Sequence, residues 1–84
     1  MKSENPTDTE LKKQTLLWLK KAEEKISNIK ENKDKTNYIL ENAQCYIKDA
    51  NYFLEKKDYI RSFEAVIWAW AFLEIGENCK LLLF

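Results

Sequence analysis

Four carboxylates, Asp49, Glu55, Asp58 and Glu64, gather around a lone Arg61 in the second half of the chain. Oxygen ligands alone can hold a hard divalent cation, and a carboxylate beside it can take a proton from water. On that reading Asp49, Asp58 and Glu64 would serve a small metal-dependent hydrolase. No EF-hand-like spacing accompanies them, however. The plainer expectation is a structural salt-bridge cluster of Asp49, Glu55, Asp58, Arg61 and Glu64, in which each exposed pair contributes little. Histidine is absent from the 84 residues. That removes imidazole acid–base catalysis, Ser-His and Cys-His nucleophiles, and histidine-ligated metals together. Cys45 and Cys79 stand 34 positions apart with no CxxC motif, and are expected as small buried apolar groups with reduced thiols. No catalytic, cofactor-binding or metal-ligating residue is assigned, and no cofactor is expected.

A second candidate chemistry is the lysine-rich first third, where Lys12, Lys13, Lys20 and Lys21 could face RNA. Glu23 and Glu24 interleave with them, as on any solvated amphipathic face. The chain as a whole carries 14 basic and 14 acidic residues. Residues 1–37 hold nine bases against seven acids, and residues 38–84 five against seven. This is not the charge footprint of a nucleic-acid binder.

The third candidate is apolar. Residues 65–75 read AVIWAWAFLEI, with Glu74 the single charge. A spanning helix needs roughly 20 apolar residues, so this run predicts no membrane segment. Trp68 and Phe72 project about 160–200° from Trp70 on a helix, and one small bundle cannot bury both sides. Trp68 and Phe72 are therefore expected to form a self-association or partner surface, joined by Leu81 to Phe84 of the tail LLLF, with packing inside the bundle as the competing expectation. Tyr38 and Tyr52 are further candidates for that interface. They lie with Cys45 on a line seven residues apart, outside the main apolar stripe of their helix, and half-buried rim packing is the competing expectation.

The elements that must position these residues are helical. One Gly and one Pro among 84 residues cannot punctuate a β-sheet, whereas Lys, Glu, Leu, Ile and Ala suit helices. The first helix is expected over about 7–30, after a flexible segment 1–6. Thr7-Asp8-Thr9-Glu10 fits a capping box, and Leu11, Thr15, Trp18, Leu19, Ala22, Ile26 and Ile29 share one face. KENKDK at 30–35 reads as a short loop with Asn32 or Asp34 as the next N-cap. A second helix is expected over about 34–56, its stripe formed by Ile39, Leu40, Ala43, Tyr46, Ile47, Ala50, Phe53 and Leu54. After the turn EKKD at 55–58, Asp58 caps a third helix over about 58–80. Its core side is expected to carry Tyr59, Phe63, Val66, Ile67, Trp70 and Leu73, with Ala65, Ala69 and Phe72 on the far side. Gly76 could end this helix, but continuation past it is preferred. Residues 1–84 thus read as a single all-α domain, an up-and-down three-helix bundle.

The segment 46–76, YIKDANYFLEKKDYIRSFEAVIWAWAFLEIG, resembles an archaeal family catalogued as domain of unknown function 357. The family pattern is Tyr-x-x-Asp-Ala-x-Tyr-Phe-Leu-Glu-Lys, then Gly-Asp-Tyr and Arg-Ala-Phe. Tyr46, Asp49, Ala50, Tyr52, Phe53, Leu54, Glu55, Lys56, Asp58, Tyr59, Arg61 and Phe63 match it. The match covers roughly the last 40 residues, and the first helix by position alone. The resemblance implies the three-helix bundle and an archaeal source, and it carries over no catalytic residue. Lys57 replaces the family's Gly, so a left-handed C′ position would cost it about 1 kcal/mol, or else the turn differs. Ser62 stands where the family has Ala. The same stretch is similar to one tetratricopeptide-type hairpin, but the 34-residue period does not recur.

Together these readings predict a cytoplasmic, non-enzymatic bundle that binds protein, either another chain or itself as a homodimer. The decapeptide MKSENPTDTE has no apolar core and reads as no signal peptide.

Overall fold

The computed structural model describes residues 6–84. In chain order it contains α1 (Pro6–Ser27), β1 (Glu31–Asn32), α2 (Tyr38–Glu55), α3 (Tyr59–Asn78) and β2 (Leu82–Leu83). This is an all-α three-helix bundle, with two-residue strands as its only sheet among the described residues. Residues 1–5 of the segment expected to be flexible lie outside the described residues. Pro6 opens α1, where a missing N–H costs nothing. Thr7 consequently lies inside the helix and does not cap it.

Helix α2 starts at Tyr38, four residues later than expected for an Asp34 cap. Asn37, the residue before it, is left-handed at φ 61° and its side chain caps nothing. Asp34 does the capping from within the loop. Its Oδ2 accepts from the Ile39 N–H at 3.0 Å, and its Oδ1 from the Thr36 hydroxyl at 2.6 Å and N–H at 3.1 Å. These donors, led by the Ile39 N–H, favour the charged carboxylate and hold its pKa below the usual aspartate value.

Helices α2 and α3 end in the same way. Lys57 sits at φ 59°, its N–H bonded to the Leu54 carbonyl, and the Asp58 N–H reaches Phe53. Lys80 also sits at φ 59°, its N–H bonded to Glu77, and the Leu81 N–H reaches Gly76. Both are Schellman motifs with lysine where glycine is usual. Of the two possibilities for Lys57, the structure shows the left-handed position, taken despite its Cβ. Asp58 then caps α3, its Oδ1 accepting from the Arg61 N–H at 3.2 Å.

Gly76 lies within α3, which runs two residues past it, and the tail after Asn78 is not helical. Lys80 turns the chain back so that Leu82 and Leu83 pair antiparallel with Asn32 and Glu31. The Lys30 and Lys33 N–H groups add bonds to the Leu83 and Leu81 carbonyls. Leu82 is 1% exposed and presses on Gly76, where an added Cβ would stand 2.6 Å from the Leu82 Cδ1. That close approach explains the glycine. Leu81 and Phe84 are half-buried against the core around Leu73 and Leu82, so the tail closes the bundle end instead of forming a free apolar flag.

Helix α3 is central. It runs parallel to α1 in a constant register of 52. The Trp70 Nε1–H donates to the Trp18 carbonyl at 3.0 Å, and one turn pair further Lys25 meets Glu77 at 3.0 Å. Against α2 it runs antiparallel and close, and the Ser62 hydroxyl donates to the Ala50 carbonyl at 2.7 Å. The buried line of α3 is Tyr59, Ser62, Ala65, Val66, Ala69, Leu73 and Gly76. Ala65 and Ala69, expected on the far side, are core residues. Ile67, expected in the core, is 51% exposed. The physical reason is backbone proximity: small side chains let α2 approach, so the close contact is lined by Ser, Ala and Gly. From α2 come Ile39, Ala43 and Ala50, and from α1 Thr15, Leu19 and Ala22. Full burial of a side chain such as Leu73 contributes about 1.5–3 kcal/mol. Thr15 and Ser62 are buried with their hydroxyls bonded, Thr15 to the Leu11 carbonyl at 2.7 Å.

Candidate functional site

With Asp58 fixing the first turn of α3, the helical period decides what faces outward. Ile60, Ile67, Ala71 and Ile75 fall opposite the Ser62–Val66–Leu73 line, with Trp68 beside them. Ile60 is 62% exposed, Trp68 55%, and Ile67 and Ile75 each 51%. Four large apolar side chains thus stand on one helix face with no covering element. Glu64 falls on the same face, between Ile60 and the Ile67–Trp68 pair. A few isolated exposed hydrophobics are ordinary, but four on one helix face are more than that.

Three of the expected interface residues meet along the α2–α3 side, through a ring that the sequence pattern assigns to the core stripe. Tyr46 stacks on Trp68 at 6.0 Å between centroids and on Phe72 at 5.9 Å. Tyr38 meets Phe72 edge-on at 6.1 Å. The result is a ladder Trp68–Tyr46–Phe72–Tyr38, whose outer rings Trp68 and Tyr38 are the most exposed. Aromatic pairs of this kind contribute about 0.5–1.5 kcal/mol each beyond area, and they hold Trp68 in a defined orientation. Tyr52 is not part of the ladder. It lies about 21 Å along α2 from Tyr38, against Phe53 at 5.3 Å and beneath the Lys56 ammonium. Phe84 lies under the Lys25 ammonium at 4.2 Å, at the clasped end.

The carboxylate cluster is only partly assembled. Arg61 pairs with Asp58, Nε to Oδ2 at 3.6 Å, and its guanidinium lies over the Phe53 ring at 5.9 Å. Among the described residues Asp49, Glu55 and Glu64 make no ion pair with it. Asp49 and Glu64 instead join Tyr46, Phe53, Arg61, Ala65 and Trp68 in lining a shallow cleft of about 300 Å³ between α2 and α3. No group of three acids or thiols close enough to hold a metal ion occurs among the described residues. Cys45 and Cys79 are both exposed and free, contrary to the expected burial. They fall on the outer side of α2 and at the C-cap of α3, positions that no helix covers. A second, apolar notch of about 430 Å³ opens between the start of α1 and Phe63, and no sequence motif marks it. No described helix is long and apolar enough to cross a membrane.

The bundle recurs in a known protein structure. The family model described as a protein of unknown function (DUF357) matches residues 17–82. The chain belongs to this family. The match takes in all of α2 and α3, the turn between them, and Leu82 of the clasp, and it reaches back into α1 as far as Leu17. Among solved structures, the crystal structure of protein AF1782 from Archaeoglobus fulgidus, of the same family, is similar at 42% identity and a TM-score of 0.82. The alignment covers 92% of this chain and 96% of that one. No curated protein matches. The family description names no activity, so any function must be argued from the surface just described.

Proposed function

We propose that this protein is a non-enzymatic association module that holds another protein chain against the outward side of α3. The observation that supports the reading most is the uncovered row Ile60, Ile67, Trp68 and Ile75, all at least half exposed in a chain whose core is already complete without them. Tryptophan is enriched among the residues that dominate binding energy, and the Tyr46 stack orders the Trp68 ring before any partner arrives, which lowers the entropy cost of docking. The compartment that suits two exposed free thiols is the reducing cytoplasm.

The experiment is a charge placed on the row. Trp68→Glu is expected to leave helicity unchanged and stability within about 1 kcal/mol, the loss being its stacking on Tyr46. It is expected to abolish the larger species in which the tagged full chain migrates in an extract of the organism that makes it. If the chain migrates there at its own 10.1 kDa, or if the larger species survives the substitution, the reading is wrong.

A further inference from the structure

We infer that the partner is a second copy of this chain, docked α3 against α3 in antiparallel orientation; this names the occupant of the surface proposed above and rests on that reading. The row is self-complementary. Ile60 and Ile75 lie equally far from the midpoint between Ile67 and Trp68, so the four positions read the same in both directions. A two-fold axis through that midpoint sets Ile60 against Ile75 of the second copy, and Ile67 against Trp68 of the second copy. At 100° per residue, Ile60 and Ile67 occupy one flank of the row, and Trp68 and Ile75 the other. Each layer therefore pairs one flank with the opposite one, which is how antiparallel helices interleave side chains along a seam. The same axis places Glu64 opposite Ala71 of the second copy. No acid faces an acid there, and the small alanine leaves the carboxylate a path to water.

Area and charge decide for a second copy. The four side chains offer on the order of 500 Å² of exposed surface, near the top of the range for the largest patch on a monomer. With Glu64, Ala71 and the stems along the same face, the seam approaches the roughly 800 Å² per partner of a standard interface. That is enough for a reversible dimer. Formal charge is zero, 14 bases against 14 acids, so two copies meet without long-range repulsion.

Sedimentation equilibrium on the purified full chain tests this. The wild type is expected at twice 10.1 kDa, and Trp68→Glu at the single mass with unchanged circular dichroism, the dimer dissociation constant rising at least about tenfold. Ile60→Glu and Ile75→Lys are each expected to weaken the dimer. The double variant I60E/I75K is expected to restore it, because the two positions face each other only between copies; along one α3 they stand about 22 Å apart. A wild-type monomer, a dimer indifferent to Trp68→Glu, or a double variant no better than the singles overturns the inference. If the purified chain is a monomer while a larger species in the extract depends on Trp68, the second copy is the wrong occupant and the association surface stands. If the chain is a monomer in both settings, both fail.

Discussion

The two sides of α3 invert the usual equation of size with burial. The inner side carries Ser62, Ala65, Ala69 and Gly76 among its buried residues, and the outer side carries three isoleucines and a tryptophan that remain exposed. The difference lies in what approaches. On the inner side α2 comes close enough for a hydroxyl on one helix to bond a backbone carbonyl of the other, and only small side chains leave that room. On the outer side no helix packs, only the Tyr46 ring reaching Trp68, so large side chains meet no clash and stay at least half exposed.

The contrast can be broken most strongly at its centre. Leu73→Ala on the inner side is expected to cost about 2–5 kcal/mol by leaving a cavity. Ile67→Ala on the outer side is expected to stay within about 0.5 kcal/mol in the monomer. Urea unfolding at low protein concentration, below any association, checks both. Equal losses would erase the distinction.

Next in size is Gly76→Ala. Its Cβ would enter the space of the Leu82 side chain, and overpacking of this kind costs about 1–3 kcal/mol. Hydrogen exchange should accelerate first at Lys30 and Lys33, whose N–H groups bond the tail. Unchanged protection there would show that Leu82 can shift without opening the clasp. Ser62→Ala removes the interhelical hydrogen bond and restores the residue the family pattern carries. A loss of about 0.5–1.5 kcal/mol is expected from thermal or urea unfolding. A gain would mean that the hydroxyl is merely tolerated.

The smallest handle is pH, and it acts outside both faces. Asp34 has a depressed pKa in the folded chain. Its contribution is therefore fully present above the unfolded aspartate value of about 3.9, and is lost as pH falls through the lower folded value. Melting temperatures followed from about pH 5 down to pH 2 should show an acid-side fall that Asp34→Asn reduces. An identical pH profile in the variant would remove Asp34 from the account.

Much of this was legible without coordinates because it is local. Three runs of helical periodicity, the break at EKKD and the capping Asp58 depend on hydrogen bonds and spacings within a few residues. The family pattern, with glycine at that position, left a left-handed Lys57 or a different turn open, and the structure shows the first. What escaped was non-local. Asp34 reaches across four residues to Ile39, so α2 begins later than a simple N-cap would place it. The tail LLLF reads as part of an exposed partner surface, yet Leu82 and Leu83 pair with Asn32 and Glu31 and Leu82 enters the core. Tyr46 reads as core stripe, and its role in ordering Trp68 and Phe72 exists only once α2 and α3 are side by side.

The amino-acid sequence by itself determined that this chain makes three helices, where the α2–α3 turn falls, and that α3 has more apolar surface than one bundle can hide. Only the tertiary structure decided which of that surface is hidden. Periodicity ranks positions by angle around a helix axis, but the angle that faces inward depends on how closely each neighbour packs. Here the small residues of α3 admit α2, Trp70 meets Trp18 of α1, and Ile60, Ile67, Trp68 and Ile75 are left exposed.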